Sequence, residues 1–143
     1  VEFILAEAAE RGMAGLSAGA AKGHYDAGVR ASITQWGGTD AEATAYLARP
    51  GVAYQGGATG LQQTGLQKWI SEYTQGLEAW SDWRRTGNPA SIKPGPKQYP
   101  DVPGVPRRLL YPSNEQSVNL QSLTDAIARQ GADSYLTHVW WDK

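Results

Sequence analysis

The sequence predicts an all-α fold with long irregular Gly/Pro-rich loops, in which the first two helices suit a tetratricopeptide-like pair. Three observations lead there. Apolar residues recur at steps of three and four in several segments, and no segment shows the period-two alternation of a half-buried strand. Seventeen Gly and eight Pro punctuate the stretches between those segments. Six Trp and seven Tyr against one Phe supply rigid, amphipathic rings that can hold such loops against a helical body.

The elements follow in order. Residues 1–12 read as a helix, with Ile4, Leu5, Ala8 and Ala9 at helical spacing and Gly12 as its stop. A second helix fits 20–36, where Tyr25, Val29, Ile33 and Trp36 make one apolar stripe and Gly37-Gly38 ends it. With the first it suggests one helix–turn–helix repeat. A single repeat falls short of the three or more that normally stand alone, which implies a longer protein. So does the opening VEFILAEAAERG, which reads as the inside of a helix. Apolar surface is therefore expected near residues 1–9. Asp40 can cap a short helix through Leu47, closed by Arg49-Pro50.

Residues 51–65 hold five glycines and read as a loop to about Thr59. A long amphipathic segment follows, in which Leu66, Trp69, Ile70, Tyr73, Leu77, Trp80 and Trp83 form a stripe expected to face the core. Gly76 is placed to kink or split it, and Gly87 with Pro89 ends it. Seven of the eight prolines lie in 87–112, a density that excludes a regular helix or central strand. Tyr99, Leu109, Leu110 and Tyr111 favour an ordered loop there, fastened by the forked donors of Arg84-Arg85 and Arg107-Arg108. A last helix fits 120–130, with Asn119 as cap, Leu120, Leu123 and Ile127 as apolar face and Gly131 as stop. The tail from Tyr135 to Trp141 reads as extended and docked, with Trp140 and Trp141 pointing opposite ways, one buried and the other exposed or docked on the remainder of a longer protein.

Composition narrows the function. The 143 residues suit one domain, and 41% apolar against 19% charged residues argues against disorder. Net charge −1 leaves neither a nucleic-acid footprint nor a polybasic membrane patch. The absence of Cys excludes disulfides, thiolate zinc sites and cysteine nucleophiles. No run approaches the ~20 apolar residues of a membrane helix.

Glu78 and Asp82 lie four apart on one helix face, a spacing that could present two carboxyls to a sugar. Arg84 and Arg85 stand beside them, and an ion network is the ordinary meaning of such spacing. His24 and His138 are the two histidines and make no metal-ligating pattern. There is no Gly-x-Ser-x-Gly elbow, and GGATG at 56–60 lacks the Gly-Lys-Ser/Thr of a phosphate loop, with Lys68 too far along to serve. No catalytic residue, metal site or cofactor is therefore assigned. Tyr54 and Tyr99 are the loop aromatics offered as ligand contacts, and Trp rings could form a sugar-stacking platform.

Four stretches in this order resemble the SusD/RagB family of nutrient-binding outer-membrane lipoproteins: LAEAAERG (5–12), LQKWISEYTQGLEAWSDWRRTGNP (66–89), VPRRLLYPSNEQSVN (105–119) and HVWWDK (138–143). The resemblance covers essentially the whole chain and places it as a C-terminal portion, a single α-helical domain over 1–143 with its Pro-rich loop at 87–112. It implies a non-enzymatic protein on the bacterial cell surface that binds a glycan or peptide nutrient. It further implies delivery to a SusC-like TonB-dependent outer-membrane transporter. The membrane would be reached only through a lipid anchor on a cysteine that this chain lacks. No residue matches a family-wide ligand motif, so none is carried over. The alternative is a tetratricopeptide-type protein-interaction module, motivated by the first two helices.

Overall fold

The computed structural model describes residues 1–95, 102 and 104–142. Tyr99 lies outside the described residues. These residues form seven helices and no strand: α1 (Glu2–Glu10), α2 (Ala18–Gln35), α3 (Asp40–Leu47), α4 (Gly57–Ser71), α5 (Gly76–Thr86), α6 (Glu115–Val118) and α7 (Leu120–Gln130). The all-α class holds, and α1 with α2 makes the expected tetratricopeptide-like pair. Two compact units are present, Val1–Trp83 and Arg84–Lys143, so the boundary falls within α5.

The first unit is built around Tyr25, which is fully buried. Phe3 meets its ring edge-on at 6.3 Å between centroids, and Tyr54 lies tilted against it at 4.9 Å. Its hydroxyl donates to Val52 O at 2.8 Å, so no buried polar group is left over on this side chain. Burial pushes the Tyr25 hydroxyl far above its ordinary pKa, because the phenolate would be desolvated beside Tyr46 and Asp26. Two glycines make room for the flanking rings. A Cβ at Gly28 would stand 2.8 Å from Phe3 Cε1, and one at Gly60 would stand 2.7 Å from Tyr54 Oη.

The inward face of α1 is Phe3, Ala6 and Ala9. Of the residues at helical spacing, Ala9 is buried, whereas Ile4 is 56% exposed and, with Val1 at 91%, makes the apolar surface expected near residues 1–9. In α2 the Tyr25–Val29 stripe is buried and Ile33 packs against it, but Trp36 is 57% exposed. The cap of α3 is Thr39 in place of Asp40. Thr39 Oγ1 accepts from Glu42 N at 3.2 Å while Glu42 Oε2 accepts from Thr39 N at 2.7 Å, a reciprocal capping box. Those bonds hold the Glu42 carboxyl below its usual range. Asp40 instead pairs with Arg30 of α2.

Helix α4 corrects two readings. It begins at Gly57, inside the glycine-rich stretch read as loop to Thr59. Its buried face is Gly60, Gln63, Thr64, Gly65 and Gln67, not the Leu–Trp stripe. Leu66, Trp69 and Ile70 are 39%, 42% and 42% exposed, and Tyr73 and Leu77 are 83% and 79% exposed. The reason is the loop at 51–55. Gln63 Nε2 donates to Gly51 O and Ala53 O, each at 2.9 Å, and Gln63 Oε1 accepts from Gln55 N at 3.0 Å. A loop without secondary structure needs such partners, so the polar face of α4 turns inward. Helix α1 helps: Glu10 accepts from Gly57 N at the start of α4 and from Tyr54 Oη at 2.7 Å. The amphipathic segment splits between α4 and α5, as Gly76 led one to expect.

The second unit joins irregular backbone to α6 and α7. Helix α6 was not foreseen. Asn119 stands at the N-cap position of α7 as expected, but its side chain makes no capping bond there: its Nδ2 donates to Glu115 Oε2 at 3.0 Å. Leu123 is the buried residue of α7, and Gly131 ends it at φ +98°. The tail is folded into tight turns and is not extended: Thr137 N donates to Ser134 O at 3.2 Å and Asp142 N to Val139 O at 2.9 Å. Arginines fasten this unit, with loop carbonyls and carboxylates among their partners. Arg84 donates to Arg107 O and lies over the Trp141 ring at 4.4 Å. Arg107 pairs with Asp142. Arg108 donates to Leu109 O at 2.9 Å, pairs with Asp133 at 3.0 Å and lies over Tyr111 at 4.7 Å. Arg84, Arg108 and Asp142 are all nearly buried, and desolvation lowers the pKa of Arg84 despite the Asp142 carboxylate.

Three outcomes follow from these contacts. Gly60→Ala gains up to about 1 kcal/mol of helix propensity, but overpacking against Tyr54, held by Glu10 and Tyr25, costs about 1–3 kcal/mol. A lowered urea midpoint is expected, and a raised one would show that Tyr54 moves aside freely. Thr39→Ala removes the box and should cost about 1 kcal/mol; an unchanged melting curve would refute a stabilising cap. Asp142→Ala leaves Arg107 facing a buried vacancy and should cost about 3 kcal/mol or more. Thermal unfolding of Asp142→Asn, which keeps an acceptor, should show a smaller loss.

Candidate functional site

Among the described residues, each unit carries a groove of ligand size. The groove of the first unit encloses about 410 Å³ between α1, α2 and α4, with Glu2, Ile4, Gln35, Lys68, Glu72 and Gln75 among its walls. Two of its lining residues, Lys68 and Glu72, belong to an ion cluster. Lys68 Nζ lies 2.8 Å from Asp82 Oδ1 and 3.8 Å from Glu72 Oε1. Burial outweighs Lys68 at Glu72 and holds that carboxyl above its usual range; Asp82 and Glu78 add repulsion. Glu72 Oε2 is buried and accepts no hydrogen bond from the described residues.

The groove of the second unit encloses about 320 Å³ and is lined by Tyr111, Ala126, Arg129, Gln130, His138, Val139 and Trp140. Its character is different. One wall is the indole of Trp140, which is 93% exposed. The two neighbouring tryptophans do diverge, Trp141 sitting under Arg84 while Trp140 faces solvent. His138 Nδ1 lies 3.2 Å from Asp142 O and 3.5 Å from Asp142 Oδ1. The ring is thus hydrogen-bonded to the backbone carbonyl of the residue whose carboxylate holds Arg107.

The residues singled out by sequence are distributed as follows. Glu78 is exposed and Asp82 is held by Lys68, so the two carboxyls do not converge on a cleft as an acid–base pair would. His24 pairs with Glu2 at 2.8 Å. Tyr54 is half-buried in the first unit with its hydroxyl on Glu10, and burial raises its pKa. No group of three metal-ligating side chains exists among the described residues. No described helix is long and apolar enough to cross a membrane. Sequence reading missed the Lys68–Asp82 pair, which reaches across the α4–α5 break. It also missed Arg129 and Gln130, exposed polar residues with no motif, which only the folding of the tail brings beside Trp140.

Comparison with known proteins completes the picture. The family model SusD-like_2, described as starch-binding and associating with the outer membrane, matches residues 1–112. No curated protein matches the chain. Among solved structures, a SusD-like protein of Bacteroidetes AC2a is 32% identical with TM-score 0.86, covering 99% of this chain and 29% of that one. A chitin-binding SusD homologue from Flavobacterium johnsoniae is 30% identical with TM-score 0.77, covering 99% and 35%. A SusD homologue from Bacteroides thetaiotaomicron is 30% identical with TM-score 0.74, covering 99% and 36%. The chain thus spans about a third of the length of these relatives. With helices, loops and family model in agreement, the chain belongs to the SusD-like family.

Proposed function

We propose that this chain is the C-terminal portion of a cell-surface receptor that binds glycan nutrients and passes them to a SusC-like TonB-dependent transporter in the bacterial outer membrane. The observation that carries the reading is the family match over residues 1–112, under a description that names both starch binding and the outer membrane. A chitin-binding relative at 30% identity points to the same ligand class. The receptor is non-enzymatic in this reading, and a lipid anchor on the remainder of the protein holds it to the membrane. The exposed apolar face of α4, with Trp69 and Ile70 each 42% exposed, supports a larger protein whose remaining portion covers it. Tyr54 and Tyr99 are kept as candidate ligand contacts; Tyr54 would offer its ring, since its hydroxyl serves Glu10.

Affinity electrophoresis through gels containing soluble starch or glycol chitin tests the ligand class. Retardation in at least one gel is expected for the protein carrying this chain. Equal mobility in all gels, combined with binding to a peptide library, would replace glycan by peptide. Failure to co-purify with any outer-membrane transporter would remove the delivery step.

A further inference from the structure

The groove of the second unit has the chemistry of a sugar subsite. A pyranose presents an apolar C–H face and an equatorial rim of hydroxyls, each both donor and acceptor. Its complement is a flat apolar surface beside groups that can donate and accept. Trp140 supplies the flat surface at 93% exposure, and Ala126 and Val139 add apolar lining. Arg129 supplies donors only, whereas Gln130 supplies both kinds. His138 has its Nδ1 engaged by Asp142, which leaves Nε2 as the second ring nitrogen. The volume of about 320 Å³ lies within the range of small-molecule sites.

The backbone on both sides of Trp140 is pinned. Trp141 lies under Arg84, and Asp142 is locked to Arg107 and turned back on Val139 O at 2.9 Å. The turn that carries the indole is fixed, so the ordering that binding must offset is confined to side chains, that of Trp140 among them. The groove of the first unit lacks this match: its one aromatic lining residue, Phe3, is buried against Tyr25, and its walls carry Glu2, Lys68 and Glu72. We propose that the groove between α7 and the C-terminal turn is an oligosaccharide subsite in which Trp140 stacks on a neutral sugar ring while Arg129, Gln130 and His138 hold its hydroxyls. This rests on the glycan-binding reading above and assigns it to a place.

Isothermal titration with chitohexaose and with maltoheptaose, on the full chain and its variants, tests the assignment. Trp140→Ala should weaken binding of the preferred oligosaccharide about tenfold or more, equivalent to ~1.4 kcal/mol. Trp140→Phe, which keeps a stacking face, should recover most of it, and Gln130→Ala should weaken it less than Trp140→Ala. Since the ring is exposed, the melting temperature of all three variants should match wild type. Wild-type binding that survives Trp140→Ala unchanged overturns the subsite and leaves the glycan reading intact. A drop in melting temperature with unchanged affinity also overturns it, by showing that the ring serves packing. Wild-type protein that binds neither oligosaccharide takes down the glycan reading and the subsite with it.

Discussion

The first unit depends on one buried phenol. Tyr25 sits fully enclosed between Phe3 of α1 and Tyr54 of the loop before α4, and its hydroxyl closes on Val52 O. Three chain segments distant in sequence are thereby fixed by a single side chain. The arrangement works because α2 and α4 are bare where the neighbouring rings lie, at Gly28 and Gly60. Large ring against no side chain is a way to reach interior density with few bulky aliphatics. The other fully enclosed side chains of this unit are small, apart from Val29.

A second constraint is the satisfaction of irregular backbone. Long loops expose peptide groups that must find partners once buried. The first unit solves this with a glutamine turned inward from a helix, the second with arginines. Gln63 can donate twice and accept, so one side chain ties three positions of the 51–55 loop. Arg84 and Arg108 reach loop carbonyls while stacking on Trp141 and Tyr111. Their charges are tolerated at near-complete burial because Asp142 and Asp133 stand nearby.

These fastenings bear on function. A binding surface made of loops is useful only if the loops hold their shape between encounters. The turn that presents Trp140 is held by contacts made by its immediate neighbours, so the same residues that stabilise the second unit also orient the groove. In the first unit several polar groups are consumed internally, Lys68 by Asp82 and Glu10 by Tyr54 and Gly57, while Glu72 Oε2 accepts no hydrogen bond from the described residues. The apolar outer face of α4 is a second unspent feature.

The sequence by itself determined the all-α class, the positions of α2, α3, α5 and α7 to within a few residues, the family, and the arginine fastening of the Pro-rich segment. These are local properties: spacing, stop residues, and residue types with few alternative uses. Only the tertiary structure decided which face of α4 turns inward, since hydrophobic periodicity marks an apolar stripe but cannot say whether anything within the chain covers it. The unmet peptide groups of the 51–55 loop outweighed that stripe. The same holds for the cap of α3, where Thr39 and Asp40 are both competent and only backbone geometry chooses. It holds for the Trp140 groove as well, because Arg129 and Gln130 meet the tail through a turn that no local pattern announces.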